Sequence, residues 1–504
     1  MIEKYYSGVI EQIYNRIGKE TRNIVMANYS NDFSIENLEV IRRYQSNEDN
    51  VFFAYSEFSY NTLVGAYEPF LDIICNMHRH FIGGSFDDFQ KECGVYYLHR
   101  QVLNSYYETG ECFREETVLL NEVAYEQRRM TKAIVDMLKR LSEVRPLMIV
   151  INRFQMASKS SIETIKYLID NPCTNIGIVL GVNVQVKGTD STVEVWDRIV
   201  ESLEDRSAIY YIGSAGQQKN HIRDTSDDEL YITTNFEQSI QEASNIMEFL
   251  DYEQARRGCR IIEHKNKFED AWIDEKSLRR FYLIYARTSV LLGEMSKAIE
   301  LTNEYKALIP ESDSEHYFSI YYFMKGTCYM YQGKLEKAEG CAKKAYDYAL
   351  LADDELLEFK SELLSVMIKM SGWYNIFFCV QDIPVSDEFI EKIIKHGYRN
   401  HLAHIYIYAY DNSRDVVKQS FYDESLLKHF TKGLELAKKI ENEQLVYDAY
   451  QKTIMLASTN GLNEIAFLYV IRTYEFMKEH GNTKNIVTIQ NALAIYMLRE
   501  YLRL

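Results

Sequence analysis

The residues with the strongest claim to chemistry lie between Arg145 and Leu168, RPLMIVINRFQMASKSSIETIKYL. The apolar run Leu147-Met148-Ile149-Val150-Ile151 follows a proline and predicts a buried parallel strand. In nucleotide-hydrolysing α/β domains the end of such a strand carries acidic groups that hold Mg²⁺ and help orient a water. Here those two places are Asn152 and Arg153. The stretch has the shape of a Walker B segment without its carboxylates.

A hydrolase also needs a phosphate loop after its first strand. Glycines let backbone N–H groups close on the phosphates, a lysine reaches the β/γ-phosphates, and Ser or Thr meets the metal. The corresponding turn, Asn28 to Ile35, has neither glycine nor lysine. Gly18-Lys19-Glu20-Thr21 looks superficially like the end of such a loop, but it precedes the strand and reads as a helix C-terminus. Asn183 stands where many such ATPases place a sensing arginine. No catalytic, cofactor-binding or metal-binding residue is assigned, and no cofactor is expected.

Other constellations have plainer readings. His401-Leu402-Ala403-His404, with His396 nearby, puts two imidazoles on one helix turn. Neither HExxH nor a carboxylate at ligand spacing accompanies them, so a polar helix face is expected. His78-Arg79-His80 reads as a helix end. Arg42-Arg43, Arg128-Arg129, Arg256-Arg257 and Arg279-Arg280 are isolated pairs and form no stripe for nucleic acid. The acidic runs Asp227-Asp228-Glu229 and Asp353-Asp354-Glu355 read as solvated turns. Tyr321, Tyr322, Tyr329 and Tyr331 read as core or groove lining on helices. The eight cysteines are scattered, with no CxxC pair, which predicts buried thiols in a reducing compartment.

The elements that must position these residues are legible up to about residue 225. Ile2 to Ile17 is an amphipathic helix with Tyr6, Val9, Ile10, Ile13 and Ile17 on one face. Strands are predicted at 23–27, 51–55, 147–151, 176–182 and 208–212. Helices separate them, with Ile134, Met137, Leu138 and Leu141 marking one and 193–203 another. Alternation of strand and helix predicts a parallel sheet.

In this order the elements resemble the ATPase core of the STAND class, the signal-transducing relatives of AAA+ proteins in large LuxR-type bacterial regulators. That family reads P-L-hydrophobic-Asp-Asp-hydrophobic-Gln-x-Ala-Asp-x-x-Ser across the Walker B strand and the next helix. Pro146, Leu147, Gln155, Ala157 and Ser161 match, whereas Asn152, Arg153 and Ser158 replace the acids. Tyr67 to Phe70 matches the family's Tyr-x-Pro-Phe. The resemblance spans roughly residues 20 to 215 and implies a P-loop-type fold. With the catalytic motifs gone, it implies a pseudo-ATPase, because loss of even one stabilising donor costs about 10²–10³ in rate.

From about 235 only helices are expected. Leu292-Gly293-Glu294-Met295-Ser296-Lys297-Ala298 recurs as Gln332-Gly333-Lys334-Leu335-Glu336-Lys337-Ala338. Weaker copies read Ser371-Gly372 to Phe377 and Asn460-Gly461 to Ala466. The glycine turns the chain between two helices and the small residue five positions later lets them pack. This resembles tetratricopeptide repeats, five or six helix pairs forming a superhelix whose concave face binds a protein, a peptide or a small effector. The expected domains are 1–225, an inactive STAND-like α/β domain, and 226–504, a TPR-like repeat domain.

Composition fits a cytoplasmic protein. The net charge of −17 argues against a broad phosphate-binding face, so no direct nucleic-acid contact is expected. The start lacks a signal-peptide core and no apolar run is long enough to span a membrane. The function implied is a non-enzymatic signalling or regulatory scaffold. The alternative is a transcriptional regulator of the ATP-dependent LuxR type whose DNA-binding output comes from elsewhere.

Overall fold

The computed structural model describes residues 2–29, 38–45, 51–59, 63–185, 193–212, 235–268, 273–374, 385–408, 424–440, 442–459 and 461–479. Two compact units divide between Leu308 and Ile309. The first contains strands β1 (Ile24–Tyr29), β2 (Phe52–Glu57), β3 (Leu147–Asn152), β4 (Ile176–Asn183) and β5 (Ile209–Ile212). All pairings are parallel, in the order β2-β3-β4-β1-β5. Its helices are α1 (Ile2–Arg16), α2 (Glu39–Gln45), α3 (Phe70–Met77), α4 (Phe86–Glu92), α5 (Tyr97–Thr109), α6 (Val123–Val144), α7 (Lys159–Asp170), α8 (Val193–Glu204), α9 (Phe236–Glu248), α10 (Tyr252–Phe268), α11 (Glu275–Leu291) and α12 (Met295–Ala307). The parallel sheet and its following helices match the fold class read from the sequence.

Connection handedness puts the helices on two faces. From β1 the chain moves through α2 toward the β2 edge, whereas β3 to β4 and β4 to β5 advance the other way. Right-handed crossovers then place α2 opposite α7 and α8. Burial agrees. Val25, Ala27 and Tyr29 of β1, Met148 and Val150 of β3 and Val179 of β4 form one core with α1 and α2. Period-two alternation turns Leu147, Ile149 and Ile151 to the other face. Each strand of the central three is buried on both sides, which is why β3 and β4 read as continuous apolar runs. Gly177 lets α1 lie close: a Cβ there would stand 2.9 Å from Ile13 and Ile17.

Helices α9 and α10 belong with the sheet for a physical reason. Arg114 donates to the Glu248 carbonyl at 2.8 Å, Gln127 to that of Leu250 at 2.7 Å, and Gln254 to that of Val64 at 3.0 Å. Among the described residues the last strand ends at Ile212 and the next helix begins at Phe236, and the sequence boundary near 225 lies outside the described residues. The contact division falls later, after α12.

The second unit contains α13 (Ser314–Tyr331), α14 (Leu335–Leu351), α15 (Glu355–Tyr374), α16 (Asp387–Lys395), α17 (Arg399–Tyr408), α18 (Glu424–Lys439), α19 (Glu443–Thr459) and α20 (Asn463–Glu479). The repeat signature has the expected structural meaning at three places. Gly293, Gly333 and Gly461 take φ of 79°, 71° and 73° between helices. Ala298, Ala338 and Ala466, five residues on, are fully buried. Gly372 departs from this pattern, because it lies inside α15. The turn recurs instead at Gly397 (φ 73°), between α16 and α17. Asp353 makes the same turn without glycine, at φ 53°, with the Asp353 and Asp354 N–H groups closing on Leu350 and Ala349. No helix of the described residues is long and apolar enough to cross a membrane.

Candidate functional site at the carboxyl edge of the sheet

In open parallel sheets ligands bind beyond the carboxyl ends of the strands, where adjacent strands send their connections to opposite faces. Here that point is the edge between β1 and β4, where Tyr29 pairs with Asn183. The sequence-derived positions meet at this edge. Asn152 ends β3, directly beside Glu57 of β2, and Asn183 ends β4. The turn after Asn28 and Tyr29 leaves from here, and its residues 30–35 lie outside the described ones.

Tyr29 bridges the edge. Its hydroxyl donates to Asn152 Oδ1 at 2.7 Å, and both side chains are fully buried. The ring reaches across β4. By register Gly181 stands beside Asn152, one position past the pair Ile151 and Leu180, and offers no side chain to block it. Tyr6 of α1 lies in the same cluster. Burial, with Tyr29, Tyr55 and Glu57 around it, pushes its hydroxyl well above the usual range, so it stays neutral.

Arg153 turns away from any metal role. It adopts the left-handed backbone, φ 54° and ψ 40°, and its guanidinium meets Glu57 Oε1 at 3.1 Å. The Tyr55 hydroxyl donates to the other Glu57 oxygen. The Glu57 carboxylate at this edge is thus held by an arginine and a tyrosine. Gln155 accepts from the Asn183 N–H at 3.3 Å. Asn183 in turn accepts from the Gln185 N–H at 3.0 Å, which makes it a turn former.

Among the described residues, those at this edge do not offer the donor set of Mg²⁺ with a nucleotide triphosphate. Among the described residues, the buried atoms Asn152 Nδ2, Gln155 Nε2 and Asn28 Oδ1 find no hydrogen-bond partner. Two of the three are neutral N–H donors, whereas a magnesium ion takes oxygen ligands. Neither amide brings the positive charge that a triphosphate requires.

The helix after β3 is also closed. Ser158 caps α7 by accepting from the Ser161 N–H at 3.4 Å, and the Ser160 N–H donates to Asp251 Oδ2 at 3.0 Å. A carboxylate of the same chain therefore occupies the anion-attracting end of α7. Burial raises Asp251 above the usual carboxylate range, against the pull of the Ser160 and Gln254 donors. Ser161 Oγ donates to the Glu68 carbonyl at 2.7 Å, and the Tyr67 N–H to Ser160 Oγ at 3.0 Å. The matched family positions Tyr67 and Ser161 thus join one packing cluster.

The remaining sequence candidates fall elsewhere. His401 and His404 are buried, against the expected polar face. The ring of His401 lies beside Tyr398, and that of His404 stacks on Tyr408. His396 stacks on Phe359 at 4.3 Å. His78 opens the π-helical turn His78–Ile82 that follows α3, its ring between Phe86, Phe89 and Tyr107. Five of the eight arginines in those pairs are engaged internally: Arg43 with Glu11 at 2.8 Å, Arg129 over Tyr96 at 3.7 Å, Arg256 with Glu294, Arg279 with the Leu308 carbonyl, and Arg280 with Gln241. Tyr321 is buried and Tyr322 stacks on Tyr348 at 5.6 Å. Asp354 caps α15 through the Leu357 N–H at 2.9 Å. Asp227 to Glu229 lie outside the described residues. Sequence reasoning missed Tyr29 and Glu57. An aromatic residue where a glycine-rich loop would begin was the available signal for Tyr29; Glu57 had none.

No family model matches the chain, and no curated protein matches it. Among solved structures, one match is the crystal structure of a Signal Transduction ATPase with Numerous Domains (STAND) protein with a tetratricopeptide repeat sensor, from Pyrococcus horikoshii. The alignment covers 97% of this chain and 85% of that one, at 12% identity and a TM-score of 0.42.

Proposed function

We propose that this chain is a non-enzymatic signalling or regulatory scaffold whose helical repeats bind a protein partner, and whose nucleotide-type sheet serves as a structural platform. The hydrogen bond between Tyr29 and Asn152 carries the reading. It spans the place where phosphate and metal would enter, and it sits among neutral amides and an arginine-held Glu57. The functional division follows the sequence, with residues 1–225 as platform and 226–504 as binding part. The helix pairs supply a repeated surface that the sheet does not offer.

Phosphate release from MgATP by the purified full chain tests the inactive half of this reading. No turnover above buffer is expected. Turnover that disappears when Asn28 is replaced would refute it.

A further inference from the structure

The second unit holds a groove of about 530 Å³ between α14 and α15. That volume lies within the usual range of ligand pockets, about 300–1,000 Å³. One wall is a stripe of α14 at helical spacing, Glu336, Glu339, Gly340, Lys343 and Tyr346; the other is Ser361, Glu362 and Ser365 of α15.

Three observations point to an occupant. First, Gly340 sits inside α14 and a Cβ built there meets nothing within 4 Å. A glycine in a helix interior costs roughly 1 kcal/mol against alanine. Gly326, on the neighbouring helix, has a packing reason, since its Cβ would lie 3.3 Å from Cys341. Gly340 has none, and it leaves the α14 wall of the groove without a side chain at that point. Second, Ser361 is 1% exposed, lines the groove, and its hydroxyl finds no partner among the described residues. Third, the lining is acidic. Glu336 and Glu339 form no ion pair with described residues, and Glu362 is met by Lys392 of α16 at 3.1 Å. Lys343 is the only cation in the lining, against three carboxylates.

We infer that this groove docks a basic peptide segment of the partner protein, with a lysine or arginine side chain passing over Gly340 toward Glu336 and Glu339. Lys392 already shows how a cation is held at the far wall, on Glu362. Ser361 Oγ supplies the hydrogen bond that fixes the segment's backbone or side chain. The inference rests on the reading of the repeats as the binding part, and it adds the charge and the place of the contact.

The test is fluorescence anisotropy with the full chain and two labelled peptides of equal length, one alternating Lys and Gly, the other Glu and Gly. Gly340→Leu fills the groove at a position with room for a side chain. Glu336→Gln/Glu339→Gln removes its free charge. Glu20→Gln/Glu143→Gln removes the same charge from the first unit, and circular dichroism confirms that each variant folds. The expected result is binding of the Lys peptide, weakened at least 10-fold by both groove variants and less than 2-fold by the control. Equal weakening by groove and control variants, or no weakening by Gly340→Leu, would show only attraction to an acidic chain and overturn the assignment. Preferential binding of the Glu peptide, weakened by Gly340→Leu, overturns the charge while leaving the repeats as the binding part. Failure of both peptides overturns the basic-peptide assignment without touching that reading, which capture of a native partner by the full chain decides separately.

Discussion

At the scale of single residues, Tyr29 does the most to separate this edge from an open phosphate site. Its hydroxyl satisfies Asn152 Oδ1 in a fully buried setting. Tyr29→Phe keeps the ring and strands that oxygen, so a loss of about 1–3 kcal/mol is expected in denaturant unfolding. A loss near zero would mean that water replaces the hydroxyl freely. Glu163 gives a second residue-scale prediction. Burial raises its carboxyl from 4.5 to about 7, opposed by Lys159 and reinforced by Asp251 and Glu253. The native state therefore holds a proton that the unfolded state has released between those two values. Its contribution is full below the lower value and is lost as pH rises through about 7, up to about 3 kcal/mol in all. Glu163→Gln should then stabilise the chain more at pH 8.5 than at pH 5.5 in thermal melts. An equal shift at both pH values would contradict the assignment.

At the scale of elements, the turns between helices carry the repeat. Gly333 holds φ 71° and Asp353 performs the same turn at φ 53°. Gly333→Ala should cost about 1–2 kcal/mol, because an L side chain resists that conformation. Asp353→Gly should be neutral or stabilise by up to about 1 kcal/mol. Urea unfolding of both variants checks the pair, and opposite signs would overturn this reading of the turns. These elements also show what was legible. Runs of five or more apolar residues exposed β3 and β4, because strands buried on both faces need no polar positions. Gly293, Gly333 and Gly461 exposed three helix turns, because a positive φ favours glycine. Gly372 misled because a glycine also survives inside a helix, as it does at Gly340. Asp353 reads as a turn, but its equivalence to the glycine turns was not legible, because an aspartate signals a cap as readily as a left-handed turn. His401 and His404 were misjudged because polarity alone does not reveal burial in α17. The carboxyl edge was half legible. The missing acids at Asn152 and Arg153 could be read, but the bond to Tyr29 joins residues 123 positions apart and depends on strand order.

At the scale of the whole molecule, the chain joins a three-layer α/β platform to a succession of helix pairs. The parallel sheet has the architecture that places a ligand at the carboxyl ends of β1 and β4, and among the described residues Tyr29 and Asn152 bond to each other there. In the proposed reading, binding falls to the helices, with their repeated turns at Gly293, Gly333 and Gly461. On the proposed reading, the edge between β1, β3 and β4 is closed to nucleotide. The direct measurement is isothermal titration calorimetry of MgATP and MgADP into the full chain, with the Tyr29→Phe variant alongside. No saturable heat is expected for either nucleotide up to millimolar concentration, in both proteins. Saturable binding of one nucleotide per chain, altered by Tyr29→Phe, would contradict it.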